Sequence, residues 1–369
     1  MLKKIFTFFI AGLALYACSS ATEGGDVNSD NFDREQLLSN LANNIIVPAF
    51  NDFSSKINSL QTAATTFTTT PSQENLTALR SSWLNAYKTW QHVAMFEIGK
   101  AEELQFVNFI NIYPLTVQDV ENNISSGTYD LNSANNHDAQ GFAALDYLIY
   151  GVADTDAAIL AKYTTDANAD NYKAYITDVV AKMQEVTTAI NNDWNGSYKN
   201  SFITASGNTA SSSLNKLVND FIFYYEKRLR ANKVGIPAGI FSTNSQPLPE
   251  KVEAFYNQNV SKELAFEAYK AVKNVFQGKA YNTSSTGESF KTYLVSLNRN
   301  DIVTSIENQL ATAETKLNSL NNNFYSQVNT NNALMTETYD ELQKLVVLFK
   351  VDMLQAFDIS VDYVDADGD

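Results

Sequence analysis

The sequence is poor in the residues that crosslink chains or bind metals. Its 369 residues include a single cysteine, Cys18, and two histidines, His92 and His137. A lone cysteine cannot form an intramolecular disulfide, so the fold must be stabilised by buried apolar surface. The sequence also lacks the cysteine and histidine spacings of zinc sites. It has no phosphate-binding glycine loop, no nucleophile elbow and no HExxH helix. These absences exclude the enzyme classes that carry those signatures.

Proline and glycine, the residues that most often interrupt helices, are also scarce, with 6 and 14 copies. Between the few breaks, apolar residues recur three and four positions apart, as in the series Leu76, Leu79, Trp83, Tyr87 and Trp90. No segment stands out with the two-residue alternation of a strand. The pattern therefore predicts an all-α fold.

The chain has too few basic residues to bind polyanions. It contains 26 Lys and Arg against 41 Asp and Glu, which gives a formal net charge of −15 at pH 7. Such an acidic protein neither neutralises nucleic-acid phosphates nor lies on an anionic membrane surface by charge alone. We interpret the excess of acid as a solvated surface that also favours cationic ligands. No nucleic-acid partner is expected.

The N-terminus is typical of an exported lipoprotein. Residues 1–17 combine two lysines with an apolar run too short to span a bilayer, which is the pattern of a signal peptide. The residues before Cys18 resemble a bacterial lipobox, in which the cysteine is acylated and anchors the chain to a membrane. Residues 18–32 are small and polar and are predicted to form a flexible tether. Because Ser19 rather than aspartate follows the cysteine, the resemblance implies the outer membrane of the cell envelope.

The remaining chain is long enough for two domains. A polar stretch rich in Asn, Ser, Gly and Thr, residues 196–212, separates the helical patterns of residues 33–195 and 213–369. Helices joined by short breaks favour antiparallel packing. We predict two antiparallel helical bundles with a cleft between them.

One segment of the first region carries a family resemblance. Residues 141–151 read GFAALDYLIYG, which resembles the signature of the imelysin family, G-x-H-x-x-E followed by an apolar run and glycine. The helix at 83–99 and the stretch Asn111-Ile112-Tyr113-Pro114 resemble features that precede this signature. The resemblance implies two bundles with approximate internal symmetry and a site in their cleft. Members are described as metallopeptidases or as iron-regulated periplasmic and surface proteins.

The segment departs from the family signature where a metal would be bound. Gly141 is retained, but the histidine position is Ala143 and the glutamate position is Asp146. A histidine and a glutamate three residues apart share a helix face and can bind one metal, whereas alanine has no donor atom. A hydrolytic centre usually needs three protein ligands. Asp146 is left as the candidate ligand for a divalent or ferric ion, and a catalytic role is not favoured.

A second candidate region lies in the C-terminal half of the chain. Tyr225 and Arg228 precede a turn that contains two glycines and a proline. Their side chains can donate hydrogen bonds to a carboxylate or phosphate ligand. Together with Tyr113, Gly141 and Asp146, they form the predicted ligand site in the cleft.

These features favour a non-catalytic binding role, and the family resemblance implies iron or nutrient acquisition. The ligand would be a small molecule or a metal ion in the cleft. One alternative is a metallopeptidase with a degenerate or relocated metal site, which requires ligands such as Glu97 and His137 to converge on Asp146. Another is docking on an envelope transporter, which an exposed apolar patch would favour.

Overall fold

Helices form the regular structure of residues 30–362, the part of the chain that the computed structural model describes. No β-strand forms within these residues, and an isolated bridge pairs Lys279 with Thr286. The prediction of an all-α fold is confirmed. None of the described helices has the length and apolar character needed to cross a membrane. The predicted signal peptide, Cys18 and most of the predicted tether lie outside the described residues.

Long helices alternate with short ones in the first half of the chain. They are α1 (Arg34–Asn40), α2 (Val47–Thr69), α3 (Gln73–Trp90), α4 (Lys100–Leu104), α5 (Phe106–Ile110), α6 (Val117–Ser126), α7 (Gly141–Asp146), α8 (Asp156–Lys162), α9 (Ala169–Asn195) and α10 (Tyr198–Thr204). The second half has the same character, with α11 (Ser213–Phe223), α12 (Ser261–Gln277), α13 (Phe290–Ser296), α14 (Asn300–Ser319), α15 (Phe324–Val347) and α16 (Leu354–Phe357).

Within residues 30–362, four stretches that continue α-helices are wound more widely, as π-helix. They are Leu41–Ile46, Tyr147–Gly151, Tyr224–Gly235 and Leu348–Met353. Such stretches occur frequently at functional sites. Two of them adjoin candidate residues, because Tyr147–Gly151 follows Asp146 directly and Tyr224–Gly235 contains Arg228.

Aromatic clusters fill the core on both sides of the candidate site. Helix α2 packs against α3 and α9, and α14 packs against α15. In the first half the Trp90 ring lies 5.1 Å from Phe106 and 5.7 Å from Phe53. In the second half the Phe349 ring lies 5.1 Å from Phe221. All five side chains are buried, so the helices that carry the site are held by closely packed cores.

The predicted domain boundaries are not tested by these contacts. The described residues from Asp33 onward, up to residue 362, cluster as one compact unit. The predicted linker at 196–212 contains helix α10. A division into two bundles at this point stays a prediction.

Candidate functional site

A cavity of about 450 Å³ opens between the α3–α5 region and the α11 segment, and charged groups line it. We call it the charged cavity. Its charged lining residues are Glu97, Glu102, Lys216, Asp220, Arg228 and Asp362. Glu102, Lys216 and Asp362 are exposed and form the rim, whereas Glu97, Asp220 and Arg228 are partly buried and form the inner wall.

Apolar and aromatic side chains complete the walls of the charged cavity, namely Ala94, Met95, Ile98, Val107, Phe223 and Tyr224. The Tyr224 hydroxyl donates a hydrogen bond to the Gln91 carbonyl oxygen at 3.2 Å, which fixes the ring. Small-molecule sites typically combine apolar walls with polar groups that orient the ligand, as this cavity does.

The carboxyl groups of the inner wall are held in an unfavourable environment for negative charge. Burial raises the pKa of Glu97 to about 7, although its Oε1 accepts a hydrogen bond from the Val107 amide at 3.2 Å. Burial and the nearby acids Glu97, Asp362 and Glu102 raise the pKa of Asp220 to about 8. Asp220 Oδ2 is buried and has no hydrogen-bond partner within residues 30–362. A cation in the cavity would relieve this cost.

Arg228 is the positive group of the inner wall. Its guanidinium makes no hydrogen bond or salt bridge with the described residues. Its charge acts on Glu97, whose pKa it lowers against the effect of burial. The guanidinium has five N–H donors in a planar fork, so it remains available to an oxygen-bearing ligand.

A buried polar network lies directly behind Arg228. Lys233 pairs with Glu253, and both side chains are at most 4% exposed. Glu253 Oε1 also accepts hydrogen bonds from Asn111 at 2.9 Å and from Gln91 at 3.3 Å. A small gap of about 20 Å³ between this network and the charged cavity is lined by Tyr113 and Arg228, among others. The network joins residues more than 140 positions apart in the sequence.

A second cavity, of about 330 Å³, is lined by two positions of the family signature, Ala143 and Asp146, and we call it the signature cavity. It is lined by Tyr113, Ala143, Asp146 and Tyr256, among others. Both Asp146 oxygens accept backbone hydrogen bonds, from the Tyr256 amide at 2.8 Å and from the Asn257 amide at 2.9 Å. Burial raises the pKa of Asp146 to about 7, and the two backbone bonds limit the rise. Asp146 therefore serves to hold the 256–257 backbone in place.

The structure brings together some of the predicted site residues and separates others. Tyr113 and Asp146 line the signature cavity, and Tyr113 and Arg228 meet at the small gap. Gly141 has a φ of +70°, and a Cβ there would lie 2.3 Å from the Ile110 carbonyl oxygen, so its role is conformational. Tyr225 is fully buried elsewhere and donates its hydroxyl to the Leu342 carbonyl at 2.7 Å.

The donor atoms in this region do not fit a hydrolytic metal centre. Ala143 supplies none, and both Asp146 oxygens are already engaged by backbone amides. Within residues 30–362, no three His, Cys, Asp or Glu side chains are grouped to hold a metal ion. Glu97 lines the charged cavity, whereas His137 lines a separate groove and packs against the Phe109 ring at 5.3 Å. The ligand set that a metallopeptidase alternative requires is not assembled.

Sequence reasoning missed Asp220, Lys216 and Glu253 as candidate residues. Asp220 interrupts the apolar run LVNDFIF and precedes Arg228 by eight residues. This isolated acid within an apolar helix was an available signal, because such a residue is buried only at a cost. Glu253 follows a proline-containing loop, and no apolar helical pattern surrounds it that would indicate its burial.

Comparisons with known proteins agree with the fold. The Imelysin peptidase family model matches residues 46–349, which is most of the chain. An imelysin-like protein from Psychrobacter arcticum 273-4 has a similar structure, with a TM-score of 0.70, 19% identity, and coverage of 90% of this chain and 97% of that one. A protein from Parabacteroides distasonis ATCC 8503, described as an iron-regulated protein A precursor, is also similar in structure. Its TM-score is 0.70 and its sequence identity 15%, and the match covers 89% of this chain and 97% of that one. No curated protein matches significantly.

Proposed function

Because the chain belongs to the imelysin family, we propose that it is a ligand-binding member without a peptidase centre, and that its ligand occupies the charged cavity. The observation that carries the proposal is the inner wall of that cavity, where Arg228 and Asp220 Oδ2 have no hydrogen-bond partner among the described residues. Unpaired charged groups on the wall of a cavity are what a binding site provides before its ligand arrives.

The incomplete signature supports a binding role over catalysis. The position of the family histidine is Ala143, and Asp146 is committed to the 256–257 backbone. A metallopeptidase centre would need about three protein ligands for its metal, and the signature segment offers Asp146 as its one donor. The chemistry of the described residues instead suits a ligand held by ionic contacts.

The proposed setting is the cell envelope, within iron or other nutrient acquisition. Its supports are the lipobox-like residues before Cys18 and the structural likeness to a protein described as an iron-regulated protein A precursor. The lipid would tether the binding domain to the outer membrane, where an envelope transporter is the natural recipient of a captured nutrient.

Substitution of the proposed lipidation site tests this setting. In cells that process bacterial lipoproteins, Cys18→Ser should abolish incorporation of labelled fatty acid and move the protein from the membrane to the soluble fraction. Ser19→Ala is the matched control and should retain both the label and the membrane fraction. Membrane retention of Cys18→Ser without label would contradict anchoring through this residue.

Calorimetry with Zn²⁺, Fe²⁺, Fe³⁺ and Ca²⁺ tests the absence of a peptidase metal centre. The mature chain should show no micromolar binding that depends on Asp146. Ala143→His should not create such binding, because it adds one donor while both Asp146 oxygens stay engaged. Asp154→Ala, which removes an exposed carboxylate, is the control. Micromolar binding lost in Asp146→Asn, together with metal-dependent peptide cleavage, would contradict the proposal.

A further inference from the structure

We infer that the charged cavity takes a small zwitterion, with an ammonium group at Asp220 and Glu97 and a carboxylate at Arg228. This inference rests on the proposed function, because it requires the charged cavity to be a binding site. It adds the chemical class of the ligand, which would be an amine and a carboxylate carried by one molecule of amino-acid or dipeptide size.

The first support is an acidic and a basic side chain that both lack hydrogen-bond partners. Asp220 Oδ2 is buried without a hydrogen bond among residues 30–362, and Arg228 makes no hydrogen bond or salt bridge there. Both side chains line the same cavity. They lie eight residues apart, about two turns, on the continuous helix of α11 and Tyr224–Gly235. Their side chains can therefore reach the two ends of one short ligand.

Ligands of a single charge fit the cavity less well. A simple anion would meet Arg228 but would also face the carboxyl groups of Glu97 and Asp220 on the inner wall. A simple cation would leave the Arg228 guanidinium without an acceptor, and a buried donor without a partner is unfavourable. A metal ion is not favoured either, because these carboxylates are not grouped as a metal-binding set within the described residues.

The rim does not supply the missing partners. Lys216 lies 3.8 Å from Glu102 and both side chains are well exposed, so this pair is weak. The Asp362 backbone amide donates a hydrogen bond to Asn219 Oδ1 on α11 at 3.2 Å, and the Asp362 carboxylate adds negative charge near Asp220 rather than a partner for it. The partly buried Asp220 and Arg228 of the inner wall are therefore available for hydrogen bonds to the ligand.

The size and lining of the cavity limit the ligand further. A volume of about 450 Å³ lies within the range of about 300–1,000 Å³ that small-molecule sites occupy. Met95, Ile98 and Phe223 give the cavity an apolar wall, which can bury the carbon chain between the two charged ends. We expect affinity to depend on the length of that chain.

The test is a series of ω-amino acids, from glycine through 4-aminobutyrate to 6-aminohexanoate, with leucyl-leucine as a dipeptide. Binding to the mature chain, beginning at Cys18 and held in detergent micelles, is measured by calorimetry. Hexylamine and hexanoate are the single-charge controls. We expect one member of the series to bind at least tenfold more tightly than either control.

Two variants assign the ends of the ligand. Arg228→Gln should weaken the best zwitterion at least tenfold and leave hexylamine unchanged, and Asp220→Asn should weaken the zwitterion and hexylamine but not hexanoate. Arg299→Gln, which removes an exposed arginine that pairs with Asp301, is the matched control. Circular dichroism confirms that each variant is folded.

Each outcome decides one of the two claims. Hexylamine binding as tightly as every zwitterion would overturn the inference and leave a cation site, and the proposed function would stand. If no ω-amino acid and no dipeptide of the series binds, the inference is overturned as well. In that case a screen of sugars and iron chelates tests the proposed function separately. Binding of any of these compounds that depends on Arg228 would preserve the proposed function. Absence of such binding would overturn the proposed function as well as the inference.

Discussion

Gly141→Ala is expected to destabilise the fold by about 3–5 kcal/mol. Gly141 has a φ of +70°, which side-chain-bearing residues rarely adopt, and a Cβ would lie 2.3 Å from the Ile110 carbonyl oxygen. That oxygen belongs to the backbone, so the contact cannot be relieved by rotating a flexible side chain. Urea unfolding followed by circular dichroism should show a lower midpoint with an unchanged slope.

The matched control for this prediction is Gly207→Ala. No atom lies within 4 Å of a Cβ built at Gly207, and the residue is exposed. Its substitution should change the free energy of unfolding by less than about 0.5 kcal/mol. If both variants were equally stable, the steric role of Gly141 would be wrong, and a direct contact with ligand would become the better explanation of this position.

Asp146→Ala is expected to lower the free energy of unfolding by about 2–4 kcal/mol. The substitution leaves two backbone amides, those of Tyr256 and Asn257, without the acceptors that now lie 2.8 and 2.9 Å away. Asp146→Asn keeps the shape of the side chain and one acceptor oxygen, so its free energy of unfolding should fall by about half as much. The measurement is again urea unfolding, with the exposed Asp154→Ala as control.

The pH dependence provides a second test of Asp146. Its pKa in the fold is raised from 3.8 to about 7, so the native state binds this proton more tightly than the unfolded chain. Its contribution to stability is thus complete below pH 4 and is lost as the pH rises through about 7. The difference in stability between wild type and Asp146→Ala should accordingly be larger at pH 5 than at pH 8. An equal difference at both values would contradict the raised pKa.

The helical fold follows from the sequence because each helix has its own local signals. Leu76, Trp83 and Trp90 repeat at helical spacing, and all three are buried in the structure. The site is harder to predict, since it depends on which face of each helix meets a neighbour. Tyr224 lines the charged cavity, while the adjacent Tyr225 packs against the Phe349 ring at 5.2 Å on another side. Adjacent residues of a helix point in different directions, and no local pattern distinguishes these two tyrosines.

Contacts between distant segments were beyond the reach of sequence patterns. Asp146 had a pattern around it, but its partners are backbone amides about 110 residues later, and a backbone amide has no sequence signature. Glu253 likewise meets Asn111 and Lys233 only after folding. The prediction therefore identified Asp146 and Arg228 as candidates, but it could not say that one holds a loop while the other faces a cavity.

The hydrogen bonds that Asp146 accepts bear on how this signature can change during evolution. An acid that binds only a metal loses its purpose when its partner ligand is lost, and it is then free to drift. Asp146 instead secures the chain at Tyr256 and Asn257, so purifying selection on it can persist while Ala143 has no donor. An acidic residue at this position can thus be kept for a structural role, so its presence is poor evidence that a metal is bound.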